Sequence, residues 1–409
     1  MIKRTLQPFI QKTSQSFPVL LLCGMRQVGK STLLKSIKEK GRKYISLDDV
    51  QLKNFARNDP KLFLQTYPPP IIIDEVQYAP ELFTYIKIYV DEHPKERGAF
   101  WLSGSQQFRL MKGIRESLAG RIAIMDLMGL SQTEIMRKSG KSTPFLPSFD
   151  MLKENKTKTS FSAKQVFDAI LRGSFPALYA FPSTRTDVFY RSYLQTYVER
   201  DARDDLGLKN ELKYYDFIRA VAARTGNLLN YANLANDVDI NVKTAKIWLD
   251  SLVRAGIVML IEPYSANINR RIVNTPKIYF MDTGLASYLT KWNSAETLMN
   301  GAMSGAMLET YVLCEIIKSY RHNCREENIS FYRDSNGVEI DFIIEQDGVL
   351  HPIEVKKTAM PSKDSCKNFS ALKSLGKKTG IGAVLCFYET PIPICEDVIS
   401  IPVWNLEMR

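Results

Sequence analysis

Gly24-Met25-Arg26-Gln27-Val28-Gly29-Lys30-Ser31 decides the fold of the first third of the chain. The stretch fits GxxxxGK[ST] at every fixed position, a spacing that lets backbone N–H groups wrap phosphates at a helix N-terminus. Its surroundings agree. Val19-Leu-Leu-Leu-Cys23 reads as a buried strand feeding the loop, and Thr32-Leu-Leu-Lys-Ser-Ile37 as a helix leaving it. Lys30 is expected to reach the β- and γ-phosphates of a nucleotide, and the Ser31 hydroxyl to ligate Mg²⁺. Gly24, Arg26, Gln27, Val28, Gly29 and Thr32 complete the predicted cradle.

Pro70-Ile-Ile-Ile-Asp74-Glu75 supplies the second half of the expected site. A strand of β-branched residues delivers Asp74 beside the metal, and Glu75 can polarise an attacking water. Adjacent Asp-Glu favours hydrolysis over small-molecule phosphotransfer, which has no use for an activated water. The strand Ala99-Phe-Trp-Leu102 ends in Ser103-Gly-Ser105; Ser103 is the first choice as sensor of the γ-phosphate, with Ser105 behind it. Leu102-Ser-Gly-Ser-Gln106 looks like a transporter-ATPase signature, but that signature precedes the Asp-Glu strand and here it follows. Glu116-Ser-Leu-Ala-Gly-Arg121 sets an arginine before the last strand. Two roles stay open for Arg121: a finger donated to a neighbouring copy's γ-phosphate, or a tie between helix and sheet. Across residues 17–128 the apolar runs Val19–Cys23, Tyr44–Leu47, Ile71–Ile73, Ala99–Leu102 and Ile122–Leu127 alternate with helical stretches. That pattern predicts an α/β fold, a parallel sheet with helices on both faces.

With these motifs, and with Ser46-Leu-Asp-Asp49 and Ile73-Asp-Glu-Val-Gln77, the chain resembles the prokaryotic AAA-type predicted ATPases. In that family the core is followed by a C-terminal region of unknown function. Tyr197-Val-Glu-Arg-Asp201, Thr275-Pro-Lys-Ile-Tyr-Phe-Met-Asp-Thr-Gly284 and Pro352-Ile-Glu-Val-Lys356 are similar to motifs there. The resemblance implies an AAA+ fold with ATP and Mg²⁺ as cofactors. Ser103 stands where members often carry threonine, which keeps the hydroxyl.

The 409 residues call for several domains. We expect a P-loop AAA+ core over 1–136, a linker or insertion over 137–163, a helical lid over 164–221, a winged helix over 222–299 and a C-terminal α/β domain over 300–409. Composition is that of an ordinary globular protein, 45% hydrophobic and 24% charged. No apolar run reaches about 18 residues and the N-terminus has no signal-peptide core, so a cytoplasmic protein without membrane contact is expected. Six cysteines without a CxxC pair read as reduced thiols, and three histidines leave little material for a zinc site. A net charge of +11 and a pI near 9.2 favour a polyanionic partner, nucleic acid first, over a merely soluble basic protein.

Asn230–Val238, Asp239-Ile-Asn241 and Val242–Leu252 read as helix, turn, helix, with Ala232, Leu234, Ala235 and Val238 packing on Ala245, Leu249 and Leu252. The strand Ile257–Ile261 and the Asn269-Arg270-Arg271 loop would form a wing. If this unit holds DNA, Lys243, Thr244 and Lys246 enter the groove and Arg270 and Arg271 touch phosphate; the alternative is a winged helix used for packing. Further on, hairpins are expected at Asn336-Gly337 and Asp347-Gly348. Alternation puts Glu354 and Lys356 on one strand face, able to meet Asp341, with Glu309 on the preceding helix. This resembles the restriction-endonuclease-like pattern D…ExK, PD-(D/E)xK, in which carboxylates hold a second Mg²⁺ or Mn²⁺ and the lysine acts on water. A degenerate, structural version stays open. Three functions follow: an ATP-driven DNA-processing enzyme, an ATP-dependent switch or scaffold, and a small-molecule kinase.

Overall fold

The computed structural model describes residues 2–104, 117–153, 161–202, 206, 210–265 and 275–406. Ser105, Arg270 and Arg271 lie outside the described residues. All five apolar runs of the N-terminal third become strands: β1 Val19–Cys23, β2 Lys43–Ser46, β3 Ile71–Asp74, β4 Phe100–Gly104 and β5 Ile122–Asp126. They pair in parallel in the order β2-β3-β4-β1-β5. A parallel sheet has crossover helices on its faces and must be apolar on both. β1 meets that demand: Leu20 and Leu22 join one buried cluster, while Val19, Leu21 and Cys23 join the other. β4 lies between β1 and β3, so the C-terminal ends of three strands bring the phosphate loop, Asp74 and Ser103 side by side.

Residues 137–163 are not a linker where they are described. Phe145 is buried; its N–H donates to Ser319 Oγ at 2.9 Å and its carbonyl accepts from Tyr320 at 2.8 Å. Met151 is buried as well. The stretch is a strap across the helix Ser304–Arg321, a packing that its polar flanks concealed.

The expected boundary between lid and winged helix also dissolves. The helix Ala163–Arg172 packs on Thr283–Leu289 and Ala295–Asn300, from the far end of the next predicted domain. Buried Asp282 fastens them: it caps Thr283–Leu289 through Leu285 N–H and accepts from Ser174 N–H and Oγ and from Tyr190. Within this unit the helices Tyr231–Asp237 and Val242–Arg254 are capped by Asn230 and Asn241. The antiparallel pair β6 Val258–Ile261 and β7 Lys277–Phe280 follows. Leu234, Ala235 and Val238 are buried with Ala245, Leu249 and Leu252 as expected, whereas Ala232 faces outward.

The C-terminal unit opens with the helix Ser304–Arg321 and continues as β8 Ile329–Arg333, β9 Glu339–Gln346 and β10 Val349–Val355, an antiparallel run. The expected turns are there, with positive φ at Gly337, Asp347 and Gly348. After the 3₁₀ segment Lys363–Leu375 and the short β11 (Lys378–Thr379), β12 Gly382–Cys386 pairs in parallel with β10. β13 Ile392–Cys395 and β14 Val398–Pro402 extend the sheet, giving the order β13-β14-β12-β10-β9-β8. Tyr264 and Phe331 join this sheet to the β6–β7 pair through backbone hydrogen bonds. No helix among the described residues is long and apolar enough to cross a membrane.

Candidate functional site

The phosphate loop is held by backbone conformations that its glycines permit. Gly24 has φ 147°, and a Cβ there would lie 2.1 Å from the Leu127 carbonyl oxygen; Gly29 has φ 94°. Lys30 opens the following helix, buried, with Nζ donating to the Gly24 and Met25 carbonyls at 2.8 Å each. Burial lowers its pKa, and Glu75 and Asp74 act against that. The ammonium is thus poised among acceptors that a phosphate oxygen can replace. A brace invisible to the sequence reading is Arg4. Its guanidinium donates to the carbonyls of Val28, Met128 and Gly129 and pairs with buried Glu134 at 3.0 Å.

Asp74 ends β3 with both oxygens engaged. Tyr44 donates to Oδ2 at 2.6 Å, and Ser103 donates to Oδ1. Ser103 therefore sits between loop and Asp74, as expected, but it is spent on the carboxylate. Glu75 takes a left-handed conformation, φ 55°, and accepts from Gln77 Nε2. Arg26 reaches the Tyr78 hydroxyl at 3.3 Å. A cavity of about 440 Å³ flanks the loop, lined by Gln27, Gly29, Thr32, Leu33, Pro176 and Phe181 among others. The buried lysine, the fixed Asp74 carboxylate and the adjoining apolar cavity fit MgATP: Lys30 and Thr32 would face phosphate, Ser31 and Asp74 the ion.

Arg121 lies at the opposite, N-terminal end of β5. It grips Asp91 bidentately, at 2.6 and 3.1 Å, which is the helix-to-sheet tie. The pairing is partly exposed and leaves the guanidinium far from its own loop.

Residues 16–136 match the AAA domain family. Together with the strand order and the loop geometry, that match makes the N-terminal third a P-loop ATPase-like domain. Two further families match behind the AAA domain, each a domain of unknown function: DUF8612 over residues 163–296 and DUF4143 over 304–406. An uncharacterized protein of Mycobacterium tuberculosis is 29% identical over 391 residues, covering 94% of this chain and 80% of that protein. An uncharacterized protein of Methanocaldococcus jannaschii is 22% identical over 378 residues, 84% of this chain and 76% of that one. Among solved structures, the Walker-type ATPase of Pyrococcus abyssi superposes with a TM-score of 0.44 at 15% identity, over 71% of this chain and 96% of that one. RuvB of Thermotoga maritima gives 0.28 at 15% identity, over 62% and 85%.

The other predicted residues fall into two places. Lys243 and Lys246 are exposed on the second helix of the helix–turn–helix, while the half-buried Thr244 gives its N–H to the Asn241 cap. That helix runs toward the AAA domain: a cavity of about 330 Å³ lies between Gly24 and Met25 on one side and Arg254 and Gly256 on the other. A Cβ added at Gly256 would meet Met25 Cγ at 3.2 Å.

The C-terminal carboxylates converge as the alternation predicts. The β9–β10 register carried one residue past Ile353↔Phe342 sets Glu354 opposite Asp341. Asp341 accepts the Val355 N–H at 2.8 Å, and Lys356 reaches Glu354 Oε1 at 2.5 Å. Burial, then the charge of Asp341, raises Glu309 and Glu354 to about 7. What the sequence reading missed is Lys277. This buried lysine enters from β7, with Nζ 2.6 Å from Glu339 and 3.1 Å from Glu309, and Tyr279 donates to Glu309 at 2.5 Å. The expected ion set of Glu309, Asp341 and Glu354 is thus bridged in part by the protein's own cation. Among the described residues no group of three or more His, Cys, Asp or Glu is arranged to hold a metal.

Proposed function

We propose that this chain is a Mg²⁺-dependent ATP hydrolase whose turnover is coupled to DNA held by a winged helix. The observation that carries the hydrolase reading is the convergence of Lys30, Asp74 and Glu75 at one edge of the parallel sheet, with two hydroxyls fixing Asp74. Bound MgATP supplies the phosphoanhydride and the ion that neutralises charge on the transferred phosphoryl group. The base fits the apolar cavity beside Thr32, Pro176 and Phe181. Lys30 exchanges its two loop carbonyls for phosphate oxygens. Ser31 and Asp74 hold the ion's side of the site. Glu75, turned by its left-handed backbone, accepts the proton of the attacking water, and Gln77 orients it. Arg121 serves within the subunit through Asp91 or, released from it, as a finger toward a second copy.

The helix–turn–helix with its β6–β7 pair supports a winged helix, and its exposed Lys243 and Lys246 suit a phosphate backbone. Coupling follows from proximity, because the helix bearing these lysines ends at Arg254, two residues before Gly256, which approaches Met25 of the phosphate loop. The test is steady-state ATP turnover with and without duplex DNA across a salt series. Stimulation should fade with salt, and replacing Lys243 and Lys246 together should flatten the log–log binding slope by about two units. Absence of DNA binding at low salt would return the unit to packing.

For the C-terminal domain the helix, the antiparallel β8–β10 run and parallel β12 support a restriction-endonuclease-like fold. Lys277 favours the binding-platform version of it over a nuclease, since an internal ammonium already neutralises Glu309 and Glu339.

A further inference from the structure

We propose that Tyr44 is a positioning residue of the MgATP site, holding the Asp74 carboxylate turned toward Ser31 so that both face one ion. The proposal rests on the hydrolase reading above. Tyr44 lies on β2, which flanks β3 on the side opposite β4. Asp74 is therefore clamped from both neighbours: the phenol takes Oδ2 and Ser103 takes Oδ1. The phenol ring is covered by the Lys35 ammonium, 3.7 Å from the centroid. Ser31 and Lys35 are four residues apart on one helix, hence on one face. One helical face thus carries both Lys35, which covers the ring, and Ser31, the hydroxyl expected at the ion. Tyr44 sets how the phosphate-loop helix and β3 stand to one another.

Two features make this more than packing. The hydroxyl has a single proton to give, and Asp74 Oδ2 takes it at 2.6 Å. Mg²⁺ also demands near-ideal octahedral geometry, whereas a carboxylate torsion is broad and two-fold. Ser103 alone leaves Asp74 one hydrogen bond about which to turn.

The full chain carrying Tyr44→Phe keeps the ring and its Lys35 contact and loses only the hydroxyl. A non-hydrolysable ATP analogue is titrated by calorimetry, in chelator and then across a Mg²⁺ series. Metal-free affinity should stay within about twofold of wild type, while the Mg²⁺ needed for half-saturation rises about tenfold, the scale of one lost hydrogen bond to a charged group. An unchanged Mg²⁺ requirement would overturn the proposal. So would an equal loss with and without metal, which marks a structural prop, or a lower requirement, which makes the hydroxyl an occupant of the ion's place. A wild type that binds the analogue without regard to Mg²⁺ would instead remove the hydrolase reading, and the proposal with it.

Discussion

Single residues in this chain act through partners far away in sequence, and Lys277 shows the consequence most sharply. Its ammonium is taken out of water, which alone would lower its pKa, yet Glu309, Glu339 and Asp341 raise it above the ordinary lysine value. Removing such a cation leaves buried carboxylates uncompensated, a change that commonly costs about 3–5 kcal/mol. Lys277→Met should therefore lower the melting temperature of the full chain, and Mn²⁺ should restore part of it. Wild type should gain little from Mn²⁺. Equal stabilisation of both proteins by Mn²⁺, read by calorimetry, would show that Lys277 is not the site's counter-ion.

Glu309 makes a pH prediction at the same scale. Its folded pKa of about 7 lies above the ordinary 4.5, so between these values the folded chain binds more protons than the unfolded one. The stability this contributes is complete below 4.5 and is lost as pH rises through about 7. His322, buried and pushed down to about 4, pulls the other way as pH falls through its ordinary 6.5. The informative quantity is therefore the difference between proteins. From about pH 5 to pH 8, Glu309→Gln should lose less stability than wild type, measured by thermal unfolding. Parallel curves would count against the raised pKa.

Among the elements, those built from local pattern were legible in the sequence and those built from pairing were not. The five strands of the AAA domain, the helix–turn–helix and both C-terminal turns follow from apolar period, caps and glycine positions within a few residues. So do the loop residues around Lys30, the end of β3 at Asp74 and the place of Asp341 within β9. Arg4, Tyr44 and Lys277 carry no local signal, because each meets a partner tens of residues away. The strap over residues 139–152 was misread for the same reason: its polar composition looked like a linker, while Phe145 and Met151 bury against a distant helix. That gives the strap a testable energetic role. Phe145→Ala should destabilise the full chain by about 3–5 kcal/mol, the usual cost of emptying a buried phenylalanine site. A loss under about 1 kcal/mol in denaturant titration would make the strap an ornament on the surface.

At the scale of the whole molecule, the helix Ser304–Arg321 is the beam that joins the two ends. Near one end Glu309 faces the C-terminal carboxylates. Near the other, Glu315 accepts Gln132 N–H at 2.7 Å and Lys318 donates to the Leu130 carbonyl at 3.0 Å, both groups of the AAA domain. One buried cluster runs from Leu6 through this helix to Leu406, a continuous packed path from the AAA domain to the last sheet. That architecture is useful only if the AAA domain turns ATP over, which is the claim on which the remainder stands. The most direct measurement is phosphate release and retained nucleotide for wild type, Lys30→Ala and Glu75→Gln under saturating MgATP. Wild type should release phosphate, and Lys30→Ala should neither bind nor hydrolyse. Glu75→Gln should hold unhydrolysed ATP while its turnover falls by about 100-fold or more. Turnover by Glu75→Gln equal to that of wild type would contradict the account.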